Sequence, residues 1–311
     1  MEGVFRAVHP LTQQPLEPGD VDGVIQAMRL QLYRDNIMAA LEVVESAARL
    51  HPDARYDAEA RRIRSWLRHL GDRAAYTAVH ERQYRALRWR PGLKLLEKQI
   101  RIVLGKKTRK MIARRGDDAE FCELEHEIRA VTGQRILEVG SGEGGVAMAL
   151  ASRYPALTID AVEVAATNVK IARRLNRFTN LTVHQGLAEE VDRLFRPQSF
   201  DVAFSFHMME HVPDVDEVIG ALSRVLRSGG RCCFSVPMLE LAVRGPIPEF
   251  IPAGGFVGHC RAFSEADVRQ RFECHPHFRV VKLPGVWRPG RLPDCFVARE
   301  VGSLFVSWAT L

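Results

Sequence analysis

The stretch at residues 135–147, Arg-Ile-Leu-Glu-Val-Gly-Ser-Gly-Glu-Gly-Gly-Val-Ala, constrains the fold more than any other part of the chain. The apolar run at 136–139 predicts a buried strand, and a helical pattern follows over 146–153. The glycines between them let a ligand approach the backbone closely, because no Cβ stands in the way. The N–H groups at the start of the helix would face that ligand. The stretch therefore predicts a nucleotide-type cofactor site at the edge of a parallel sheet.

The glycines alone do not say which cofactor binds. Gly140, Gly142 and Gly145 also satisfy the G-x-G-x-x-G pattern of dinucleotide-binding proteins, and so short a pattern often arises by chance. The flanking carboxylates are more informative. Glu138 stands where a dinucleotide site usually has an apolar residue. Glu163 ends the next predicted strand, where a carboxylate can bind both hydroxyls of a ribose.

Three more strands are predicted at 181–184, 200–206 and 231–236. With their flanks, these segments resemble, in order and in sequence, the class I S-adenosylmethionine-dependent methyltransferases, above all the small-molecule enzymes of the ubiquinone/menaquinone type. The segments that carry the resemblance are LEVGSGEG at 137–144, AVE at 161–163, GLAE at 186–189, SFDV at 199–202, EHVP at 210–213 and RVLRSGG at 224–230. The resemblance covers roughly residues 118–300.

This resemblance implies an α/β fold: a Rossmann-like, seven-stranded, mostly parallel sheet with helices on both faces and an antiparallel last strand. Strand and helix patterns alternate beyond residue 134, which favours the same architecture. The resemblance also implies S-adenosyl-L-methionine as the cofactor. The expected reaction is methyl transfer to a small-molecule acceptor, with lipid-linked and glycan acceptors among the candidates.

The family pattern implies a set of cofactor-binding residues. They are Glu138, Gly140, Ser141, Gly142, Glu163, Leu187, Ala188, Ser205, Phe206 and His207. Glu138 is expected to orient the glycine turn, and Glu163 to hold the ribose. The chain departs from the family at Leu187, where an aspartate is usual, and Glu189 is the residue that could replace it at the adenine amine.

Three histidines are the candidate catalytic residues. His207 is expected at the tip of the fourth strand, where a neutral imidazole could accept a proton from the acceptor. The alternative is that it only lines the cofactor pocket. His211 is a second candidate, or a cap of the following helix, and His259 could reach the substrate together with Arg261. The cysteines and histidines near 259–277 fit no standard ligand spacing, so no metal is expected.

The chain divides into three predicted parts. Residues 1–116 form a helical N-terminal region, 117–300 the methyltransferase domain, and 301–311 a C-terminal tail. Proline- and glycine-rich residues 237–262 are too long for an ordinary connection and predict a substrate loop or lid, or else a surface insertion. The predicted N-terminal helices span 20–51, 53–70, 72–89, 93–115 and 117–132, and two late strands are predicted at 278–283 and 294–299.

Positive charge is concentrated in residues 82–115, which hold 13 Lys or Arg and one acid, Glu97. The apolar stripe beside these charges predicts an amphipathic helix that could lie on an anionic membrane. A helix packed on the domain with a solvated basic face is the alternative. No apolar run could cross a membrane, no secretory leader pattern begins the chain, and no cysteines form a C-x-x-C pair. A cytoplasmic protein, in contact with the membrane surface at most, is therefore expected.

Two other classes of protein compete with this interpretation. A nucleic-acid methyltransferase could use 82–115 to bind phosphates, but the fourth strand lacks the Asn/Asp-Pro-Pro-aromatic motif of exocyclic amino methylators, and few aromatic residues accompany the charges. No nucleic-acid partner is therefore expected. A catalytically silent S-adenosylmethionine-binding protein would keep the fold and lose the motifs, and Leu187 is the one departure in them.

Overall fold

A computed structural model of the chain describes residues 7–9, 13–69, 72–88, 112, 119–131, 133, 135–239, 261–264, 266–268, 278–282, 290–291, 300–301 and 303–310. Four predicted segments lie wholly or largely outside these ranges: the basic helix at 93–115, the centre of the lid, residue His259 and the strand at 294–299. Within these ranges, no helix is both long and apolar enough to span a bilayer.

The N-terminal region is helical, as predicted. Its helices are α1 (Val21–Tyr33), α2 (Ile37–Leu50), α3 (Ala54–His69) and α4 (Arg73–Arg88), with α5 (Ala119–Arg129) leading into the sheet. The single helix predicted over 20–51 is wrong, because Asp35 adopts a left-handed backbone (φ 63°) that ends α1 and separates it from α2. Helical spacing continues across this break, so periodicity alone did not reveal it.

The central sheet carries five parallel strands. They are β1 (Arg135–Val139), β2 (Thr158–Glu163), β3 (Leu181–Gln185), β4 (Phe200–Phe206) and β5 (Leu226–Pro237). Their order in the sheet is β3-β2-β1-β4-β5, so strands are added towards one edge up to β3 and towards the other edge from β4, and the strand order reverses between β1 and β4. Ligands of open α/β sheets bind where the strand order reverses, beyond the carboxyl ends of the strands.

Two later strands extend this sheet beyond β5. After β6 (Phe278–Lys282) come a separate two-stranded ribbon, β7 (Gly290–Arg291) with β8 (Glu300–Val301), and then β9 (Ser303–Thr310). Strand β9 pairs antiparallel with both β5 and β6. The predicted tail at 301–311 is therefore wrong, because residues 303–310 form this strand.

Helices cover both faces of the sheet. They are α6 (Gly145–Arg153), α7 (Ala166–Leu175), α8 (Val191–Leu194) and α9 (Val215–Val225), with a short 3-10 turn at Ala188–Glu190. Successive side chains of β1 point to opposite faces. Ile136 packs in one core with α5, α6 and α7, whereas Leu137 and Val139 pack in another with α9. The predicted Rossmann-like α/β architecture with a helical N-terminal region is confirmed.

Candidate functional site

The glycine turn after β1 adopts backbone angles that favour glycine. Gly140, Gly142 and Gly144 have φ of 75°, 56° and 79°. The N–H groups of Gly140 and Ser141 donate to the Val162 carbonyl at 2.9 and 3.0 Å, which ties the turn to the end of β2. A Cβ added at Gly142 would meet none of the described atoms within 4 Å, so its outer side has room for a ligand.

Glu138 fixes the helix that follows this turn. Its buried carboxylate accepts a hydrogen bond from Ala147 N at 3.0 Å, in the first turn of α6. This N–H belongs to the helix start, where backbone donors lack intrahelical partners. Glu138 therefore ties the end of β1 to the start of α6, and its predicted role in orienting the turn stays a prediction.

Glu163 joins the turn to the start of α7. One carboxylate oxygen accepts from Gly142 N at 2.8 Å, and the other from Ala165 N at 2.9 Å and Asn168 Nδ2 at 3.2 Å. Glu163 is buried, yet it lines a cleft at the carboxyl ends of the strands. The same side chain thus holds the loop and faces the space where a ligand would lie.

The cleft holds about 550 Å³ of empty space, part of which is open to solvent. One wall, here called the strand-end wall, consists of residues at the ends of β1 to β4 and in the turns after them. Its members are Val139, Gly140, Val162, Glu163, Val164, Gly186, Leu187, Ala188, Glu189, His207, Met208, His211 and Val212. Tyr76 and His80, both on α4, form the opposite side, here called the helical wall.

The helical wall was missed by sequence reasoning. The rings of Tyr76 and His80 meet edge to face at 4.3 Å, and the Tyr76 hydroxyl donates to the His211 carbonyl at 3.2 Å. Burial, with a smaller contribution from His211, lowers the pKa of His80 to about 3, so the ring is neutral at neutral pH. The only available signal was their i,i+4 spacing on one face of a predicted helix.

His207 lies at the tip of β4, as predicted, but in a different protonation state. Nε2 lies 3.0 Å from Glu120 Oε1, and Nδ1 lies 3.5 Å from Glu210 Oε1. Burial alone would lower its pKa, but the hydrogen bonds to the two carboxylates outweigh it and raise the pKa of His207 to about 10. The imidazole is therefore protonated at neutral pH. A protonated ring is not the neutral base that the sequence suggests, and the catalytic role of His207 stays a prediction.

The remaining predicted residues divide into those that line the cleft and those that do not. Gly140, Glu163, Leu187, Ala188, His207 and His211 line it, and Ser141 and Gly142 belong to the turn beside it. Ser205 and Phe206 are not among the lining residues. Ser205 is fully buried within β4, and Phe206 packs its ring against Phe204.

Arg261, predicted to reach the substrate, instead joins two parts of the chain. Its guanidinium pairs with Asp35 at 2.9 Å and donates to the carbonyls of Met209 and Pro213, each at 3.2 Å. With these partners, the buried guanidinium of Arg261 stabilises the fold and is not available to bind a substrate. The predicted helix start just beyond it is confirmed, since Ser264 and Asp267 form a reciprocal cap.

Comparison with known proteins assigns the part of the chain that builds the strand-end wall. Residues 137–234 match the family described as "Methyltransferase domain". These residues form a class I S-adenosylmethionine-dependent methyltransferase domain. A ubiquinone biosynthesis O-methyltransferase from Idiomarina loihiensis is 32% identical over 113 residues, which are 36% of this chain and 46% of that protein. The methyltransferase GfsG from Streptomyces halstedii is 30% identical over 133 residues, 42% of this chain and 46% of that protein.

The chain thus spans about half the length of these curated relatives. Among solved structures, a SAM-dependent methyltransferase from Methanosarcina mazei superposes with a TM-score of 0.45 and 19% identity, covering 59% of this chain and 96% of that one.

The methyltransferase domain has features that fit S-adenosylmethionine. Ser141 Oγ and Glu189 Oε2 are buried and have no hydrogen-bond partner among the described residues. A buried polar atom without a partner is costly, so each has unused capacity for a hydrogen bond with a ligand group. The open side of Gly142 and the carboxylate of Glu163 lie in the same region of the glycine turn.

Proposed function

We propose that the whole chain is a methyltransferase that transfers the methyl group of S-adenosylmethionine to an oxygen atom of a small organic acceptor. The observation that carries the proposal is the cleft at the ends of β1, β2 and β4, which joins the glycine turn and Glu163 to His207. The names of the two curated relatives, one an O-methyltransferase of ubiquinone biosynthesis, support oxygen as the acceptor atom.

When bound, S-adenosylmethionine supplies a methyl group on a sulfonium cation. Glu138 and Glu163 hold the strand end and the glycine turn that would carry it, while Tyr76 and His80 line the cleft from α4 and would help to keep water from the bound cofactor. Protonated His207 and its two carboxylates carry one net negative charge, which favours a cation nearby in a site of low dielectric constant.

We propose that His207 positions the reactants and does not take the acceptor's proton. Its two ring nitrogens face the carboxylates of Glu120 and Glu210, which hold the ring in one orientation. A protonated imidazole has no lone pair with which to accept a proton. His211 lines the same cleft and stays a candidate for contact with the acceptor.

The test incubates the full chain with methyl-labelled S-adenosylmethionine and a panel of phenols, alcohols and amines. We expect labelled methyl ethers from a hydroxylated acceptor, with formation of S-adenosylhomocysteine as the second measurement. Calorimetry should show binding of S-adenosylhomocysteine and none of NADH. Absence of S-adenosylhomocysteine binding would contradict the assignment, whatever the acceptor panel shows.

A lipid-linked acceptor would require the protein to reach a membrane surface, and we propose that residues 82–115 bring it there. This rests on the sequence of the segment, since most of it lies outside the described residues. Each Lys or Arg near an anionic surface contributes roughly 1 kcal/mol, and salt should weaken the attraction.

The full chain should therefore sediment with phosphatidylserine vesicles at low salt and not with phosphatidylcholine vesicles. Replacing Lys106, Lys107 and Lys110 together by Gln should weaken this binding. The control is the same triple change at Lys170, Arg174 and Arg177, which are exposed elsewhere on the domain. If the protein does not sediment with phosphatidylserine vesicles at low salt, the membrane proposal is wrong and the methyltransferase proposal is unaffected.

A further inference from the structure

Helix α7 begins at a residue that cannot cap it. Ala165 holds the capping position, and its methyl side chain cannot accept a hydrogen bond, although the N–H groups of a first helical turn need acceptors. Two carboxylates from other parts of the chain bind this helix start instead. Glu163, which lines the cleft, accepts from Ala165 N at 2.9 Å and from Asn168 Nδ2 at 3.2 Å. The second carboxylate is that of Glu81, which comes from α4.

Glu81 accepts hydrogen bonds from the backbone and the side chain of one residue of α7. One carboxylate oxygen accepts from Thr167 N at 3.0 Å, and the other accepts from the Thr167 hydroxyl and from Arg85 Nε at 2.7 Å. Burial would raise the pKa of the Glu81 carboxyl, but the hydrogen bonds from Thr167 and Arg85 outweigh it and lower the pKa. Glu81 is therefore ionised at neutral pH, and a negative charge at the start of a helix is favourable.

This contact fixes one end of the helical wall. Glu81 directly follows His80 on α4, and Tyr76 lies little more than one helical turn earlier. The Tyr76 hydroxyl is bonded to the carbonyl of His211, in the turn after β4, whereas Glu81 is bonded to the helix that follows β2. Helix α4 is thus attached on both sides of the cleft, and the two residues that line the cleft from it lie between these attachments or beside them.

We infer that Glu81 retains the bound cofactor by fastening α4 to the start of α7. The inference rests on the proposed function. Glu81 is a positioning residue, since it acts on the ligand through Tyr76 and His80. A ligand that contacts both walls binds best when both are in place, so docking of α4 strengthens binding of the cofactor. By linkage, the cofactor must stabilise the docking of α4 by the same factor.

The first test measures release of S-adenosylhomocysteine from the full-length protein. Glu81→Ala should raise the dissociation rate constant by roughly 2- to 30-fold, which corresponds to the range for loss of a helix cap. The association rate constant should change less, because the loss of a contact acts mainly on dissociation.

Asp20→Ala is the matched control. Asp20 caps α1 in the same helical region, where it accepts from Gly23 N at 3.0 Å, and it lies outside the cleft lining. This control should lower the midpoint of urea unfolding, as Glu81→Ala does, and should leave the dissociation rate constant at the wild-type value.

The second test measures hydrogen exchange of the α4 amides with and without saturating S-adenosylhomocysteine. The ligand should slow their exchange in the wild type, and this additional protection should decrease in Glu81→Ala by the factor by which affinity falls. If Glu81 only stabilised the fold, the substitution would reduce protection equally with and without the ligand.

The inference and the proposed function fail in different ways. If Glu81→Ala is not recovered folded, Thr167→Val replaces it, because valine keeps the side-chain shape and loses the hydroxyl donor, and it should cause a smaller rise in the dissociation rate constant. If the wild type binds S-adenosylhomocysteine and the recovered variant releases it at the wild-type rate, the role of Glu81 is wrong and the proposed function stands. If the wild type does not bind S-adenosylhomocysteine, the proposed function fails, and retention by Glu81 with it.

Discussion

The two walls of the cleft are held mainly by different interactions. On the strand-end wall, buried carboxylates accept hydrogen bonds from backbone N–H groups, as Glu138 does from Ala147 and Glu163 from Gly142. On the helical wall, α4 is attached by side chains. Tyr76 is inserted among apolar groups, and Arg73 forms ion pairs at the exposed surface.

This difference predicts how each wall responds to change. A carboxylate that fixes backbone loops cannot be removed without moving the loops, because each donor it leaves behind loses its partner. Exposed ion pairs contribute little, since both charges are well solvated when separated. The helical wall should therefore tolerate changes at its rim, and the strand-end wall should not.

The largest effect is expected for Glu163→Ala. Because Glu163 accepts bonds from Gly142 N and Ala165 N, its loss should weaken S-adenosylhomocysteine binding by about 1.5–3 kcal/mol. The substitution should also lower the free energy of unfolding, because the N–H groups of Gly142 and Ala165 would lose their acceptor. Calorimetry and urea unfolding measure the two effects. Glu143→Ala, in the same turn and outside the cleft lining, is the control. Unchanged affinity would show that the strand-end wall does not depend on its carboxylates.

The second prediction concerns pH. The folded pKa of His207, about 10, lies above that of an unfolded histidine, near 6.5. The protonated ring therefore contributes stability that is fully present below pH 6.5 and is lost as the pH rises through 10. The free energy of unfolding should fall less steeply over this range in His207→Gln and in Glu120→Gln than in the wild type. Parallel curves for all three proteins would show that the ion-paired His207 does not contribute to the pH dependence of the free energy of unfolding.

His80 should make the free energy of unfolding depend on pH in the opposite direction. Its folded pKa, about 3, lies below the unfolded value, so stability declines as the pH falls from 6.5 towards 3. The two histidines line one cleft and differ because burial dominates the pKa of His80, whereas hydrogen bonds to two carboxylates outweigh burial at His207.

The same contrast explains how far the sequence could be interpreted. The strand-end wall is local: Glu138, Gly140 and Glu163 stand at fixed distances from a strand end, so a short pattern predicts both their place and their neighbours. The charge of His207 depends on Glu120, which is 87 residues away in the chain. Tyr76 and His80 come from another predicted region, and no pattern links an amphipathic helix to the particular sheet edge it covers.

Element boundaries show a similar limit. Helices α3, α4 and α6 lie within a few residues of their predicted bounds, because caps, glycines and prolines mark them. The break at Asp35 and strand β9 were not predicted. A residue other than glycine in the left-handed conformation leaves a weak local signal, and so does a strand that joins the sheet from far along the chain.

A smaller effect should follow from Tyr76→Phe. The change removes one hydrogen bond to the His211 carbonyl and should cost about 1 kcal/mol of stability. Tyr56→Phe is a matched control, because that hydroxyl also donates to a backbone carbonyl, of Pro18 at 2.7 Å, outside the cleft lining. Both variants should lose similar stability, but Tyr76→Phe alone should change S-adenosylhomocysteine affinity. Equal affinities in the two variants would place Tyr76 outside the ligand's reach.

The smallest effect is expected for Arg73→Ala, at the rim of the helical wall. Arg73 is 41% exposed and pairs with Glu217, itself 51% exposed. Pairs of this kind typically contribute less than about 1 kcal/mol. The burial of Tyr76 and the bond from Thr167 N to Glu81 at 3.0 Å still attach α4 without it. Melting temperature and ligand affinity should therefore stay close to wild type. A loss as large as that of Glu163→Ala would mean that surface charges hold the helical wall in place, and the distinction between the two walls would fail.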